Sequence, residues 1–148
     1  MYSRPDLPKP FFISAEDDPN FVVLLRAALR KLQCEDCLVH CPDGGALVCC
    51  LHDSMIGRTL PAFVLLDLRM PKMGGFEALR WIRAMPQIKE VPVVVLSSSP
   101  LPGDVELATA LGATSYIVKP GSYEELCRIV AELLDRFGTT ATKDRPGS

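Results

Sequence analysis

Five short apolar segments recur along the chain, separated by longer stretches that mix apolar and polar residues. They cover residues 11–15, 37–41, 63–66, 91–96 and 115–118. Most of them lack the polar alternation of a strand with one solvated face, and this is typical of strands buried on both faces of a parallel sheet. The pattern therefore predicts five strands in one covered, parallel sheet.

Apolar residues in the intervening stretches recur at helical spacing. After the first strand, Asp18 is a predicted N-cap and Pro19 the first helical residue. The residues predicted to face the core on this helix share the i, i+3, i+4, i+7 period: Phe21, Leu24, Leu25, Ala28, Leu29 and Leu32. Ser122 and Glu125 have the spacing of a capping box, which predicts the start of the last helix.

Three more helices are predicted between these two. The one at residues 45–51 has the weakest pattern because Cys and Val are mediocre helix formers. Another begins near Gly75 with Trp81 on its outer face, and a third covers residues 104–111 and ends at Gly112. Strand and helix thus alternate five times, which predicts an α/β fold: a (βα)5 doubly wound parallel sheet with right-handed crossovers.

Length and charge narrow the range of functions. The 148 residues are 48% hydrophobic and 23% charged, which suits one domain with a substantial core. We assign that domain to residues 11–137, between a proline-containing tail without periodicity at 1–10 and a polar tail at 138–148. The net charge of −2 predicts no direct binding to nucleic acid or to a membrane surface. No apolar run approaches the length of a spanning helix and no signal peptide is visible, so we expect a cytoplasmic protein.

The six cysteines leave two interpretations open. Those at positions 34, 37 and 41, with the adjacent pair at 49 and 50 and nearby histidines at 40 and 52, could be zinc ligands. Structural zinc sites use two well-spaced ligand pairs, and an adjacent pair fits that spacing poorly. Cysteine also behaves as a small buried hydrophobic residue, with the occasional exposed, oxidation-prone thiol, and we favour this interpretation.

Polar residues follow four of the predicted strands where each strand ends. These are Glu16, Asp17, Asp67, Ser97 and Lys119. The carboxyl ends of parallel strands meet at one edge of a sheet, so we expect these side chains to lie together. Clustered carboxylates repel one another unless a hard cation lies among them, and Mg²⁺ binds carboxylates, water and phosphate oxygens. The sequence therefore predicts a site for a metal ion and a phosphoryl group.

Four segments that carry these residues resemble the response-regulator receiver domain of two-component signalling. They are AEDDP at 15–19, LLDLRMPKMGG at 65–75, PVVVLSS at 92–98 and GATSYIVKP at 112–120. The resemblance extends over residues 11–137, with the four segments in the family's order. It implies a flavodoxin-like sheet with strand order 2-1-3-4-5.

The resemblance implies a phosphoacceptor and a metal site. Asp67 would accept the phosphoryl group. Glu16 and Asp17 would hold Mg²⁺ together with Asp67 and the backbone carbonyl of Arg69, with Asp17 as the more direct ligand.

The resemblance also implies roles for the remaining site residues. Ser97, where the family usually has threonine, would donate to a phosphoryl oxygen, and Lys119 would pair with the phosphoryl charge. Tyr116 is similar to the family's switch aromatic, which turns when the hydroxyl at position 97 moves toward the phosphate. Its plainer interpretation is a half-buried tyrosine at the sheet edge.

The same resemblance implies the partners. A histidine kinase or a histidine phosphotransfer protein would donate the phosphoryl group. A downstream protein, or a second copy of the chain in a homodimer, would dock on the face formed by the fourth helix, fifth strand and fifth helix. The protein would then be a signalling phosphoacceptor and not an enzyme, whether stand-alone or a receiver domain excised from a larger protein.

Two other classes also place a functional residue at a strand end. An aspartate-nucleophile phosphatase of the haloacid dehalogenase type needs a second Asp two residues after the nucleophile, where this chain has Arg69. A flavin-binding flavodoxin-like module needs a phosphate-cradling loop after the first strand, where Glu16 and Asp17 would repel phosphate. The sequence favours the receiver interpretation over both.

Overall fold

The computed structural model describes residues 10–138, in which strand and helix alternate as predicted. The elements in chain order are β1 (Phe12–Ala15), α1 (Pro19–Lys31), β2 (Leu38–Cys41), α2 (Gly44–Gly57), β3 (Val64–Leu66), α3 (Gly75–Ala84), β4 (Val93–Ser97), α4 (Pro102–Ala110), β5 (Ser115–Val118) and α5 (Tyr123–Phe137). A short 3-10 turn at Glu35–Cys37 precedes β2. The predicted tails, 1–10 and 138–148, lie outside the described residues except for Pro10 and Gly138.

The five strands form one parallel sheet in the order β2-β1-β3-β4-β5. This confirms both the doubly wound α/β class and the order 2-1-3-4-5. The order in which successive strands are added to the sheet reverses between β1 and β3. Open α/β sheets bind ligands in the crevice beyond the carboxyl ends of the strands at this reversal. The topology therefore places the functional edge beyond Ala15 and Leu66.

Two hydrophobic layers cover the sheet. On one face, α1 and α5 pack against alternate strand residues through Leu25, Ala28, Leu29, Leu126, Ile129, Val130, Leu133 and Leu134. On the other face, α2 and α3 bury Leu47, Leu51, Ala78, Leu79 and Ile82. A smaller cluster of Leu68, Val95 and Ala108 lies under α4. Helix α4 thus has the least apolar anchorage of the five.

Three phenylalanines lie at the amino edge of the sheet, opposite the site. Phe12 and Phe63 stack with ring centroids 4.6 Å apart, and Phe137 packs on Phe63 at 5.9 Å. Because Phe137 ends α5, this aromatic group fixes the last helical turn to the start of β3.

Several local predictions need correction. On α1, Val22 is buried whereas Leu24 is 44% exposed, since the helix is rotated relative to the simple period. Helix α2 runs six residues beyond the predicted end at 51, and the Asp43 side chain caps it by accepting from the N–H of Ala46 at 2.8 Å. Trp81 is half-buried against the α2–α3 layer instead of lying on the outer face.

The last helix forms only half of the predicted capping box. The Ser122 hydroxyl accepts from the N–H of Glu125 at 3.1 Å, as predicted. The Glu125 carboxylate instead pairs with Arg128 one turn further along.

Within residues 10–138, none of the helices has the length and apolar character needed to cross a bilayer.

Candidate functional site

The carboxyl edge of the sheet brings together all five polar residues predicted from the strand ends. Glu16 and Asp17 follow β1, Asp67 follows β3, Ser97 is the last residue of β4, and Lys119 follows β5. The backbone N–H of Asp67 donates to the carbonyl of the last β1 residue at 3.0 Å. Pairing of the two central strands therefore fixes the acidic segments side by side.

Three carboxylates form the floor of the site. One oxygen from each of Glu16, Asp17 and Asp67 lies within 4.8 Å of the others. Glu16 and Asp67 are 3% and 7% exposed, whereas Asp17 is open to solvent. Oxygen ligands crowded in this way, with one exposed member, suit a hard divalent cation such as Mg²⁺.

Lys119 lies over the two buried carboxylates. Its Nζ is 2.9 Å from Oε1 and 3.1 Å from Oε2 of Glu16, but 3.9 Å from Oδ2 of Asp67. The ammonium also lies 4.5 Å from the centre of the Phe21 ring, which adds a cation–π contact. Lys119 is therefore held mainly by Glu16, and Asp67 keeps the weaker contact.

Burial disfavours the ionised form of both carboxyl groups. It raises the pKa of Glu16 to about 7, against the hydrogen bond from Lys119. Burial likewise raises the pKa of Asp67, opposed by Lys119 and by the backbone N–H groups of Arg69 and Leu68. Lys119 therefore compensates the negative charge of these two carboxylates only in part. An added cation would favour the ionised form of both groups.

Stability in the absence of divalent cations tests this environment of Glu16. In the unfolded chain the Glu16 carboxyl group has its ordinary pKa of 4.5, whereas in the folded chain its pKa is about 7, so folding keeps the proton bound up to a higher pH. Between these values ionisation favours unfolding. We therefore expect the stability of the wild type relative to Glu16→Gln to be greatest below 4.5 and to fall as pH rises to about 7. Urea unfolding in EDTA across this interval measures it, and a relative stability that rises with pH would contradict the assignment.

A hydrogen-bond network joins the site to α4. The Ser97 hydroxyl accepts from the N–H of Ser99 at 3.1 Å. The Ser99 hydroxyl donates to Asp104 at 2.5 Å, and its carbonyl accepts from the hydroxyl of Tyr116 at 2.7 Å. Ser99 and Asp104 were not predicted as site residues, although a Ser-rich strand end followed by an acid in the first helical turn is a usable signal.

Arg69 reaches the same network from the β3 side. Its backbone N–H donates to the Asp67 carboxylate. Its side chain is largely exposed and lies 3.5 Å from Oδ2 of Asp104. The guanidinium therefore links the loop after Asp67 to the first turn of α4.

The cysteines and histidines do not assemble a second metal centre. Within residues 10–138, the acidic group of Glu16, Asp17 and Asp67 is the only cluster of three or more potential metal ligands. Cys34 and Cys37 are joined in a disulfide across the 3-10 turn, which neither interpretation of the cysteines predicted. The zinc hypothesis thus has no support here.

The chain matches known proteins over most of its length. The family model "Response regulator receiver domain" matches residues 12–131. The probable methanogenesis regulatory protein FilR2 of Methanothrix harundinacea is 37% identical over 127 residues, which cover 84% of this chain and 81% of that protein.

Two solved structures are similar over most of the chain. The phosphorylated cyanobacterial phytochrome response regulator RcpA superposes with a TM-score of 0.78 at 28% identity, covering 86% of this chain and 93% of that one. The receiver domain of the sensor histidine kinase PA1611 of Pseudomonas aeruginosa has a magnesium ion coordinated in its active-site cleft. It gives a TM-score of 0.66 at 29% identity, covering 86% of this chain and 96% of that one.

The chain therefore belongs to the response regulator receiver domain family. Its fold, strand order and sequence place it among the CheY-like receivers of two-component signalling.

Proposed function

We propose that Asp67 accepts a phosphoryl group from a histidine kinase or histidine phosphotransfer protein in the cytoplasm, and that this switches contacts with a downstream partner. The observation that carries the proposal is the buried Asp67 carboxylate, which lies at the sheet edge between two further carboxylates and the ammonium of Lys119. A nucleophilic oxygen, a cation site and a compact positive charge are the components that phosphoryl transfer requires.

The residues present fit a divalent cation. Glu16, Asp17 and Asp67 supply hard oxygen ligands, and we assign the backbone carbonyl of Arg69 as a fourth. Burial, and then repulsion between neighbouring carboxylates, raises the pKa of Glu16 and of Asp67. Mg²⁺ bound there would neutralise the charge gathered by the carboxylates and the incoming phosphoryl oxygens.

The chain's own residues would perform the transfer as follows. A carboxylate oxygen of Asp67 attacks phosphorus, an O–P bond forms, and the bond between phosphorus and the donor's imidazole nitrogen breaks. Lys119 is close enough to pair with the new phosphoryl charge, at 3.9 Å from the carboxylate that receives it. The hydroxyl of Ser97, buried at the end of β4, would donate to a second phosphoryl oxygen.

The geometry argues against both alternative classes. Arg69 occupies the position at which a haloacid dehalogenase-type phosphatase needs its second aspartate, and its side chain turns toward Asp104. Glu16 and Asp17 place carboxylates where a flavodoxin-like module would cradle a phosphate.

Incubation with acetyl phosphate tests the proposal and the ligand assignment together. We expect the wild type to gain one phosphoryl group in Mg²⁺ and none in EDTA, measured by intact mass.

Exposed Asp17 offers its carboxylate directly to the cation, whereas Glu16 is already bound by Lys119. Asp17→Asn should therefore weaken Mg²⁺ binding, measured by calorimetry, by about tenfold or more, and Glu16→Gln should weaken it less. Labelling of the wild type in EDTA would refute the metal site. Full labelling and wild-type Mg²⁺ affinity in both variants would refute the assignment of Asp17 and Glu16 as its ligands.

The face of α4, β5 and α5 is the proposed output surface. Leu101, Leu107 and Val118 are each more than two-fifths exposed on or beside α4 and β5. Tyr116 on β5 is half-buried under α4, and its hydroxyl donates to the Ser99 carbonyl. A change at Ser97 would thus reach this surface through two hydrogen bonds, and a downstream protein or a homodimer partner would read it there.

Tyr116→Phe tests this connection because it keeps the ring and removes the hydroxyl. We expect unchanged phosphorylation of Asp67, a loss of about 1 kcal/mol in stability, and weaker phosphorylation-dependent dimerisation or partner binding. Urea unfolding and gel filtration with and without acetyl phosphate measure these effects. Wild-type stability and wild-type response in Tyr116→Phe would contradict the connection.

A further inference from the structure

Asp104, in the first turn of α4, joins the two loops that follow Asp67 and Ser97. Its Oδ2 accepts from the Ser99 hydroxyl at 2.5 Å and lies 3.5 Å from a guanidinium nitrogen of Arg69. The Asp104 side chain is 22% exposed, so these charge-assisted contacts are partly shielded from water. One carboxylate on α4 therefore holds both loops at once.

The bond from Ser99 to Asp104 fixes the end of β4. The Ser99 hydroxyl also accepts from the N–H of Leu101 at 3.3 Å, and the Ser99 N–H donates to the Ser97 hydroxyl at 3.1 Å. Ser99 is thus held through both its side chain and its N–H. The Ser97 hydroxyl is therefore bound by an N–H group whose position depends on Asp104.

The two ends of α4 are attached in different ways. Beyond the carboxyl end, Arg83 donates to the Gly112 carbonyl at 2.9 Å, and the buried Ala108 lies in the second half of the helix. At the amino end the N-cap residue is Leu101, which supplies no side-chain cap and is exposed. Loss of the Asp104 contacts would therefore release the amino end of α4 while the carboxyl end stays in place.

We propose that Asp104 is a positioning residue that holds the unphosphorylated arrangement of the site, and that it releases Ser99 and Arg69 when Asp67 receives a phosphoryl group. The inference rests on the proposed function of Asp67 and identifies what opposes its switch. A phosphoryl group carries up to about two negative charges, which compete with Asp104 for the exposed Arg69 guanidinium. It also draws the Ser97 hydroxyl away from the Ser99 N–H.

This role makes the affinity for a phosphoryl-like anion depend on the Asp104 contacts. An anion that binds only the released arrangement has an apparent affinity proportional to the population of that arrangement. Weakening the Asp104 contacts should therefore tighten anion binding although it lowers the stability of the domain. A residue with a structural role alone would lose stability without any gain in affinity.

The first measurement needs no phosphoryl donor. Amide hydrogen exchange of the full chain with Asp104→Asn, followed by NMR in EDTA, reports how firmly the loop after β4 is held. We expect exchange at Ser99 and Leu101 to accelerate by about fivefold, because the carboxylate that orders Ser99 is lost. Exchange at Gly112, beside the anchored end, should not change. Glu106→Gln removes an exposed charge from the same helix and should behave like the wild type.

The second measurement uses Mg²⁺ and beryllofluoride, an anion with the shape of a phosphoryl group. We expect Asp104→Asn to bind it about fivefold more tightly than the wild type and to unfold at a lower urea concentration. Ser99→Ala removes one contact of Asp104 without changing the charge, and it should also tighten binding. The double variant should gain less than the product of the two single effects. Glu106→Gln should bind like the wild type.

Three results would overturn the inference. The first is wild-type exchange at Ser99 and Leu101 in Asp104→Asn. The second is anion binding by Asp104→Asn that is unchanged or weaker. The third is equal tightening in Asp104→Asn and Glu106→Gln, which would indicate general charge repulsion.

Failure of the proposed function itself gives a different result. A wild type that neither gains a phosphoryl group from acetyl phosphate nor binds beryllofluoride would refute the role of Asp67, and the release step with it. The exchange measurement distinguishes this case, because it reports the hold of Asp104 on the loop in the absence of any donor or anion.

Discussion

Asp67→Asn is expected to abolish phosphoryl incorporation from acetyl phosphate while the domain remains folded. An amide has almost the shape of the carboxylate but lacks its nucleophilic oxygen. The nearest cation, Lys119, is bound mainly to Glu16 at 2.9 Å, so the substitution does not release it. Removing one of three crowded carboxylates also relieves repulsion from Asp17, so stability in EDTA should hold or rise.

Intact mass and urea unfolding measure the two halves of this expectation. Asp53→Asn on α2 is the matched control, because Asp53 is exposed and lies on a helix outside the site. It should label like the wild type. Stoichiometric labelling of Asp67→Asn, or loss of labelling in both variants, would show that the acceptor lies elsewhere.

Gly75→Ala is expected to be the most damaging small substitution near the site. A Cβ there would lie 2.4 Å from the carbonyl oxygen of Asp67 and 2.7 Å from the Cα of Leu68. Both atoms belong to the backbone that positions the acceptor, so neither can move aside without shifting it. We expect a loss of about 3 kcal/mol, the upper part of the usual range for overpacking, together with slower phosphorylation.

Gly103→Ala provides the matched comparison. Gly103 also lies in the first turn of a helix, α4, but a Cβ there would meet nothing within 4 Å. Alanine restricts the unfolded chain at such a position, so we expect a gain of about 0.5 kcal/mol. Urea unfolding of both variants measures the difference, and equal effects would mean that the contact with Asp67 is relieved at little cost.

The sequence predicted the fold and the membership of the acidic cluster because both depend on short-range patterns. The apolar strands each end in a polar residue, and parallel pairing brings those ends to one edge regardless of loop detail. Asp67 therefore reaches Glu16 from more than fifty residues away in the chain without any prediction of side-chain contacts.

Partner choice within the site was beyond sequence reasoning. Lys119 was assigned to the phosphoryl group, but its nearest carboxylate is Glu16. That preference depends on burial and on the difference between an approach of 2.9 Å to Glu16 and one of 3.9 Å to Asp67, which no periodicity encodes. Ser99 and Asp104 were missed for the same reason, since their bond depends on how the proline-rich loop turns into α4.

Local energetics explain the errors in the helices. Helix α2 forms although its sequence has weak intrinsic propensity, because Leu47 and Leu51 are fully buried against the sheet. Beyond the predicted end, Met55 packs against the same hydrophobic layer. The Glu125 carboxylate finds a guanidinium one turn away, so it forms an ion pair instead of returning to the helix start. In both cases packing or charge outweighed a sequence rule typically worth about 1 kcal/mol.

The aromatic group of Phe12, Phe63 and Phe137 determines which edge of the sheet faces the solution when the protein is immobilised on a biosensor support. It places the start of β1 and the end of α5 at the same edge of the sheet, one strand length from the acidic cluster. Four strand residues span roughly 13 Å. Immobilisation through a linker joined at Pro10 or Gly138 would therefore direct the carboxyl edge away from the support, leaving it open to a kinase in solution.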